Sequence, residues 1–224
     1  MPSKLRLQAS PGRDGNHAGR ENTAALTTLI RMSQPKILIV MALPQESRGE
    51  LERAGAQVLY TGVGKVNAAS ALARRLAELR CAGQSPSLVV NLGTAGSRSI
   101  AAHTLVACNR FSQRDMDVRG LGFAPGTTPF DDTPALIEFQ PVFAQLPQTL
   151  CSTADSFATH LHAIDGDVVD MEAFALARVC VGEGIRFACA KYITDGADSD
   201  SAAHWQAALE AAARSFAALY ASMP

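Results

Sequence analysis

Residues 87–92, SLVVNL, run straight into the turn 91–96, NLGTAG, and the reading of this stretch decides the fold. A short β-branched apolar run without polar alternation is the pattern of a strand buried on both faces, and here it ends on residues that favour a turn. Residues 36–41, KILIVM, show the same pattern earlier in the chain. Between the two lies 66–80, VNAASALARRLAELR, with apolar residues at helical spacing and Arg and Glu on the opposite face. Further strands are expected at 57–60, 104–107, 136–139 and 186–193, and further helices at 171–181 and 202–221. Parallel neighbours need crossover connections, so this alternation predicts a single α/β domain, a three-layer α/β/α sandwich around a central twisted mixed sheet. No internal repeat is visible.

Composition narrows the function. The chain has 224 residues, 47% of them apolar, and a formal charge of −1, enough to bury one sizeable core without metal or disulfide. A near-neutral balance and the lack of a basic stripe leave no electrostatic footprint for nucleic acid or an anionic membrane, so the expected partner is a small molecule. Cys81, Cys108, Cys151, Cys180 and Cys189 form no C-x-x-C pair and are odd in number, which points to a reducing, cytoplasmic setting rather than a disulfide framework or zinc site. No run approaches a membrane span, and no signal-peptide core is visible. Residues 1–34 are rich in Pro, Gly, Asn, Ser and Arg and read as a flexible N-terminal extension to a catalytic domain at 35–224.

Open α/β sheets bind ligands at the carboxyl ends of their strands. Glu46, Glu172 and Asp195 all fall at such places and become candidates for one site, although carboxylates there often only cap helices. Residues 61–67, TGVGKVN, could bring backbone N–H groups to a ligand or simply join a strand to a helix. The segment lacks both the Gly-Lys-Ser/Thr ending of a P-loop and the third glycine of a dinucleotide fingerprint.

Six segments in order, ALPQE (42–46), TGVGKVNAA (61–69), NLGTAG (91–96), CSTADSF (151–157), VDMEA (169–173) and ITDGAD (193–198), together resemble the 5'-methylthioadenosine/S-adenosylhomocysteine nucleosidases of the nucleoside phosphorylase superfamily. The resemblance covers the chain from about residue 36 onward and implies a nucleoside phosphorylase-like fold. It implies that Asp195 is the general acid at purine N7, that Glu172 holds the ribose hydroxyls with Met171 against the sugar, and that Glu46 positions and deprotonates the attacking water. By the same resemblance Phe157 stacks on the base, Ala158 reads its edge, Thr94 lies near the water, and Ala95, Gly96 and Val169 line the substrate. Residues 114–130 resemble a loop that closes the 5' side of the sugar across a homodimer, with Leu121 and Phe123 as contacts. No cofactor and no metal are implied.

The chemistry accounts for these residue types. Cleavage of an N-riboside passes through a sugar cation, so it needs an acid at the base, negative charge near the ribose and a base for water, as in O-glycoside hydrolysis. A phosphorolytic enzyme on the same fold is the alternative, as is a nucleoside-binding protein without turnover. Related phosphorylases carry arginines where this chain has Glu46 and Asn91, which favours water as the nucleophile, while Arg48 or Arg98 could compensate.

Three departures stand out: only twelve residues separate Phe157 from Asp170, Lys191 stands where bacterial members often have Arg, and Phe174 replaces a small residue. The 5' group, whether methylthio, homocysteinyl, deoxyadenosine-type or futalosine-type, stays open. The set His160, His162, Asp165 and Asp167 suits no common metal cage. His103 and His204 read as a strand-edge and a helix-start residue, and Asp198, Asp200 and Ser201 as caps of the last helix.

Overall fold

The computed structural model describes residues 37–156, 166–196 and 201–223. The expected extension at 1–34 lies outside these residues, as do Phe157, Ala158, His160, His162, Asp165, Asp198 and Asp200. In chain order the elements are β1 (Ile37–Met41), α1 (Pro44–Ser47), α2 (Glu50–Arg53), β2 (Val58–Tyr60), α3 (Lys65–Cys81), β3 (Leu88–Gly96), β4 (Leu105–Gln113), a 3-10 turn (Arg119–Leu121), β5 (Ile137–Glu138), β6 (Gln148–Thr153), β7 (Val168–Asp170), α4 (Ala173–Glu183), β8 (Arg186–Asp195) and α5 (Ser201–Ala221).

The eight strands form one mixed sheet. β2, β1, β3 and β8 are parallel neighbours, β4 pairs antiparallel with β8, and β6 and β7 follow in parallel. β7 then returns antiparallel to β3 through Gly96 and Val169, so β3, β8, β4, β6 and β7 close into a ring. β5 is a short antiparallel addition to β4. The reading of β1 and β3 as strands buried on both faces holds residue by residue. Leu38, Val40 and Val89 join Phe111, Phe187 and the α3 stripe of Ala68, Leu72 and Leu76 on one side. Ile39, Met41, Val90 and Leu92 face the other side, against Ala208, Ala212 and Phe216 of α5. The three-layer arrangement follows, with α3 and α4 on one face and α1, α2 and α5 on the other.

Differences from the sequence expectation have local causes. α4 begins two residues late, at Ala173, because Asp170 Oδ2 accepts the Ala173 N–H at 2.8 Å and sets the first turn. β6 escaped the periodicity because it buries hydroxyls: Thr149, Ser152 and Thr153 are all inside, and Thr149 Oγ1 satisfies itself on Ala107 O at 3.0 Å. β7 is only three residues long. The β3–β8 register shifts between Ala95 and Gly96, which pair with Ile193 and Asp195, leaving Thr194 as the extra residue of a bulge. Such a bulge re-aims the side chain that follows it.

The short connection into β7 leaves no slack at Gly166. A Cβ there would lie 2.5 Å from Leu150 O, a backbone atom with little freedom to retreat, whereas one at Gly120 would meet nothing within 4 Å. Gly166→Ala is expected to cost about 1–3 kcal/mol in urea denaturation and Gly120→Ala at most about 0.5 kcal/mol. Equal midpoints for the two variants would show that β7 tolerates the displacement.

Candidate active site

The site is a cavity of about 320 Å³ at the carboxyl end of the sheet, lined by residues from eight separate stretches of the chain, among them Glu46, Thr94, Arg114, Glu172, Asp195 and Trp205. Glu46 lies in α1, a single turn started by Pro44, a residue whose fixed φ suits the first helical position. Its carboxylate is buried and held from both sides. Oε2 accepts the Leu43 N–H at 3.2 Å, the helix-capping role that the sequence left open. Oε1 accepts the Thr94 N–H at 2.8 Å and the Thr94 hydroxyl at 2.7 Å. Gly93 makes the approach possible, since a Cβ at that position would sit 3.4 Å from Glu46 Oε1 and 3.3 Å from Lys191 Nζ.

Glu172 precedes the first turn of α4 and accepts the Gly64 N–H at 2.8 Å. This contact gives the 61–67 turn its role. Gly64 has φ +95°, a conformation that favours glycine and that presents the N–H to the cavity. Burial pushes the Glu172 carboxyl up to about 7, with the neighbouring Asp170 charge adding to it and Lys191 and the Gly64 N–H opposing. Asp195, buried at the end of β8 after the Thr194 bulge, accepts the Thr194 hydroxyl on Oδ2 at 2.6 Å.

Under these three lies an ion pair whose partners the sequence did not connect. Lys191 Nζ is 2.8 Å from Asp170 Oδ2, and the two side chains are 2% and 1% exposed. Asp170 Oδ1 also accepts the Thr153 hydroxyl at 2.6 Å. Burial would raise the Asp170 carboxyl, yet the ammonium beside it holds it below the usual carboxylate range. Burial would lower Lys191, and the Asp170 charge overrides it to hold the ammonium well above its ordinary value.

Most of the expected residues meet in this cavity: Thr94, Ala95, Gly96, Val169 and Met171 line it beside the three carboxylates. Phe157 and Ala158 fall outside the described residues. Leu121 and Phe123 do not line the cavity of their own chain. Leu121 is 70% exposed, and Phe123 packs edge-on against the exposed Phe130. Asn91 points away from the cavity, its Nδ2 donating to Val40 O at 3.1 Å. Asp167 accepts the Leu150 N–H at 2.9 Å, a local structural contact. Among the lining residues that the sequence reading did not single out are two large ones. Arg114, a charge at the end of an apolar strand, is buried and donates to Ser152 O, to Asp170 O at 3.2 Å and to Ser156 O at 3.0 Å. Trp205 is a lone indole in an Ala-rich helix, and that isolation was the available signal.

The family model of the phosphorylase superfamily matches residues 140–223. A 5'-methylthioadenosine/S-adenosylhomocysteine nucleosidase of Geobacillus kaustophilus is 32% identical over 205 residues, spanning 82% of this chain and 85% of that protein. The chain belongs to the 5'-methylthioadenosine/S-adenosylhomocysteine nucleosidase family, a family of N-ribosyl hydrolases. Solved structures share the fold. The Helicobacter pylori nucleosidase crystallised with butylthio-DADMe-Immucillin-A gives a TM-score of 0.73 at 20% identity over 85% of this chain and 98% of that one. A native futalosine hydrolase of the same species gives 0.73 at 21% identity over 86% and 98%.

The raised Glu172 carboxyl has a consequence for stability. A carboxyl at about 7 in the folded chain, against an ordinary 4.5, makes the fold most favourable below 4.5 and costs it stability as pH rises towards and through 7. Glutamine keeps an oxygen for the Gly64 N–H and carries no charge. Glu172→Gln is therefore expected to gain stability over the parent at pH 8 relative to pH 5, by on the order of 1–3 kcal/mol. Denaturation of both chains at the two pH values checks this, and a difference independent of pH contradicts it.

Proposed function

We propose that the chain hydrolyses the N-glycosidic bond of an adenine nucleoside bearing a thioether 5' group, of the methylthioadenosine or adenosylhomocysteine type, and releases adenine. The observation that carries this reading is the convergence of Glu46, Glu172 and Asp195 on one cavity. Lys191 is held by Asp170, and Arg114 is turned through both Nη atoms onto backbone carbonyls on the far side from Glu46, with its buried Nε unpartnered among the described residues. Arg48 and Arg98 are exposed and do not line the cavity. A phosphate dianion placed beside Glu46 would meet repulsion with no cation released to offset it, whereas water meets no such penalty.

In this reading Asp195 delivers or shares a proton with purine N7, so adenine departs as a neutral base. Glu172 accepts the ribose hydroxyls. Its ionised form is expensive in the empty site and becomes favourable as positive charge develops on the sugar, which is stabilisation realised in the transition state rather than in the ground state. Glu46 takes the proton of the water that attacks the anomeric carbon. The exposed Leu121 and Phe130 on the 114–130 loop support a homodimer in which this loop reaches a neighbouring site. Five free cysteines, four of them buried, fit a reducing cytoplasm.

Asp195→Asn is expected to fold normally and to lose adenine release by about 10²-fold or more. Near-normal turnover in the folded variant removes Asp195 from the chemistry. With saturating phosphate, mass spectrometry of the sugar product should find the free 5-alkylthioribose, with its thioether intact and no phosphate. A predominant ribose 1-phosphate derivative would move the chain to phosphorolysis.

A further inference from the structure

Trp205 is the only tryptophan in the chain. It sits half-buried near the start of α5 and lines the cavity. Its indole Nε1–H donates to Thr94 Oγ1 at 2.8 Å. An indole nitrogen can only donate, so the Thr94 hydroxyl is the acceptor and its own single proton must point elsewhere. The acceptor within reach is Glu46 Oε1, at 2.7 Å. We propose that Trp205 is a positioning residue for the nucleophile side of the reaction: it fixes the direction of the Thr94 hydroxyl, which in turn fixes the Glu46 carboxylate. The inference rests on the reading of Glu46 as the base that activates water.

The hydrogen-bond inventory gives the relay its purpose. A carboxylate offers about four acceptor directions, and Glu46 spends two on Thr94 through Oε1 and one on the Leu43 N–H through Oε2. What remains is an acceptor direction on Oε2, where a water can lodge its proton. Without the indole donor the Thr94 hydroxyl is free to rotate. Turned away from Glu46, it leaves Oε1 with one donor instead of two and competes for the same water. Water activation then suffers while the contacts to base and ribose do not. The rest of α5 is anchored by Ala208, Ala212 and Phe216 in the core, so the helix can hold the indole in place without help from the substrate.

The test is adenine release from methylthioadenosine by Trp205→Phe, Thr94→Val, Thr94→Ser and the Trp205→Phe/Thr94→Val double variant. Phenylalanine keeps an apolar ring against the cavity and removes the donor together with the second ring of the indole. Trp205→Phe is expected to lower kcat about three- to tenfold, the worth of one ordinary hydrogen bond, with KM changed by less than about twofold. Because the effect runs through Thr94, the double variant should be no slower than Thr94→Val alone, and Thr94→Ser should retain most of the parental kcat. Trp205 also reports on itself: its fluorescence in the unliganded enzyme should shift in Thr94→Val and not in Thr94→Ser.

An unchanged kcat in Trp205→Phe overturns the proposal. So does a rise in KM alone, which would make the ring a wall of the cavity and nothing more, and so do independent, multiplicative losses in the double variant. Glu46→Gln separates the levels. If it abolishes turnover while Trp205→Phe is silent, the relay alone fails, and if it turns over normally, the assignment of Glu46 as base fails and the relay with it.

Discussion

The buried pair of Lys191 and Asp170 is the contact on which the rest of the site depends. It stands at the seam where β7 closes the ring onto β3, and each partner comes from an element that carries chemistry. Asp170 binds the ammonium, the Thr153 hydroxyl and the Ala173 N–H together, so it joins β6, β7 and β8 and sets the first turn of α4. Met171 and Glu172 follow it directly, and Asp195 follows Lys191 four residues further along β8, beyond the Thr194 bulge. Removing either partner of a pair this deeply buried leaves a bare charge, at a cost of roughly 3–5 kcal/mol. The ammonium is a compact point charge and reaches Asp170 past Gly93, where a planar fork would need more room.

Charge balance explains why the empty site is poised rather than relaxed. Glu46, Asp170, Glu172 and Asp195 crowd one end of the sheet against Lys191 and Arg114. Lys191 is engaged by Asp170 and Arg114 by neutral carbonyls, and burial, with the Asp170 charge adding to it, pushes the Glu172 carboxyl up to about 7. A sugar cation is a transient partner of the right sign for this excess. In the proposed reaction the neutral nucleoside gains much less from it, and that difference between ground state and transition state would accelerate the step.

How much of this was legible in the sequence can be followed through particular residues. The strands 36–41 and 87–92 were readable because burial on both faces leaves continuous apolar runs. β6 was not, because its buried Thr149, Ser152 and Thr153 look solvent-facing until their hydroxyls are matched with partners across the sheet. The three carboxylates were legible through the ordered segments that contain them. Their supports were harder to see: Lys191 pairs with Asp170 only through the ring closure, Arg114 meets Asp170 O and Ser156 O only once β4 lies beside β6, and Trp205 meets Thr94 across 111 positions of sequence. Sequence spacing carries no trace of such contacts, since each is created by strand order.

The same strand order supplies each carboxylate with a tether that is not a charge. Leu43 N–H and Thr94 hold Glu46, Gly64 N–H holds Glu172, and the Thr194 hydroxyl holds Asp195. A salt bridge to Glu46 or Glu172 would have fixed it equally well, and would have neutralised charge that the proposed chemistry uses. Backbone and hydroxyl donors orient a carboxylate while leaving its charge largely intact, and they are in place before substrate arrives, so no reorganisation is required during the reaction. The bulge at Thr194 and the left-handed Gly64 are the local irregularities that aim two of these donors. In this fold the departures from regular secondary structure are thus placed where direction matters more than stability.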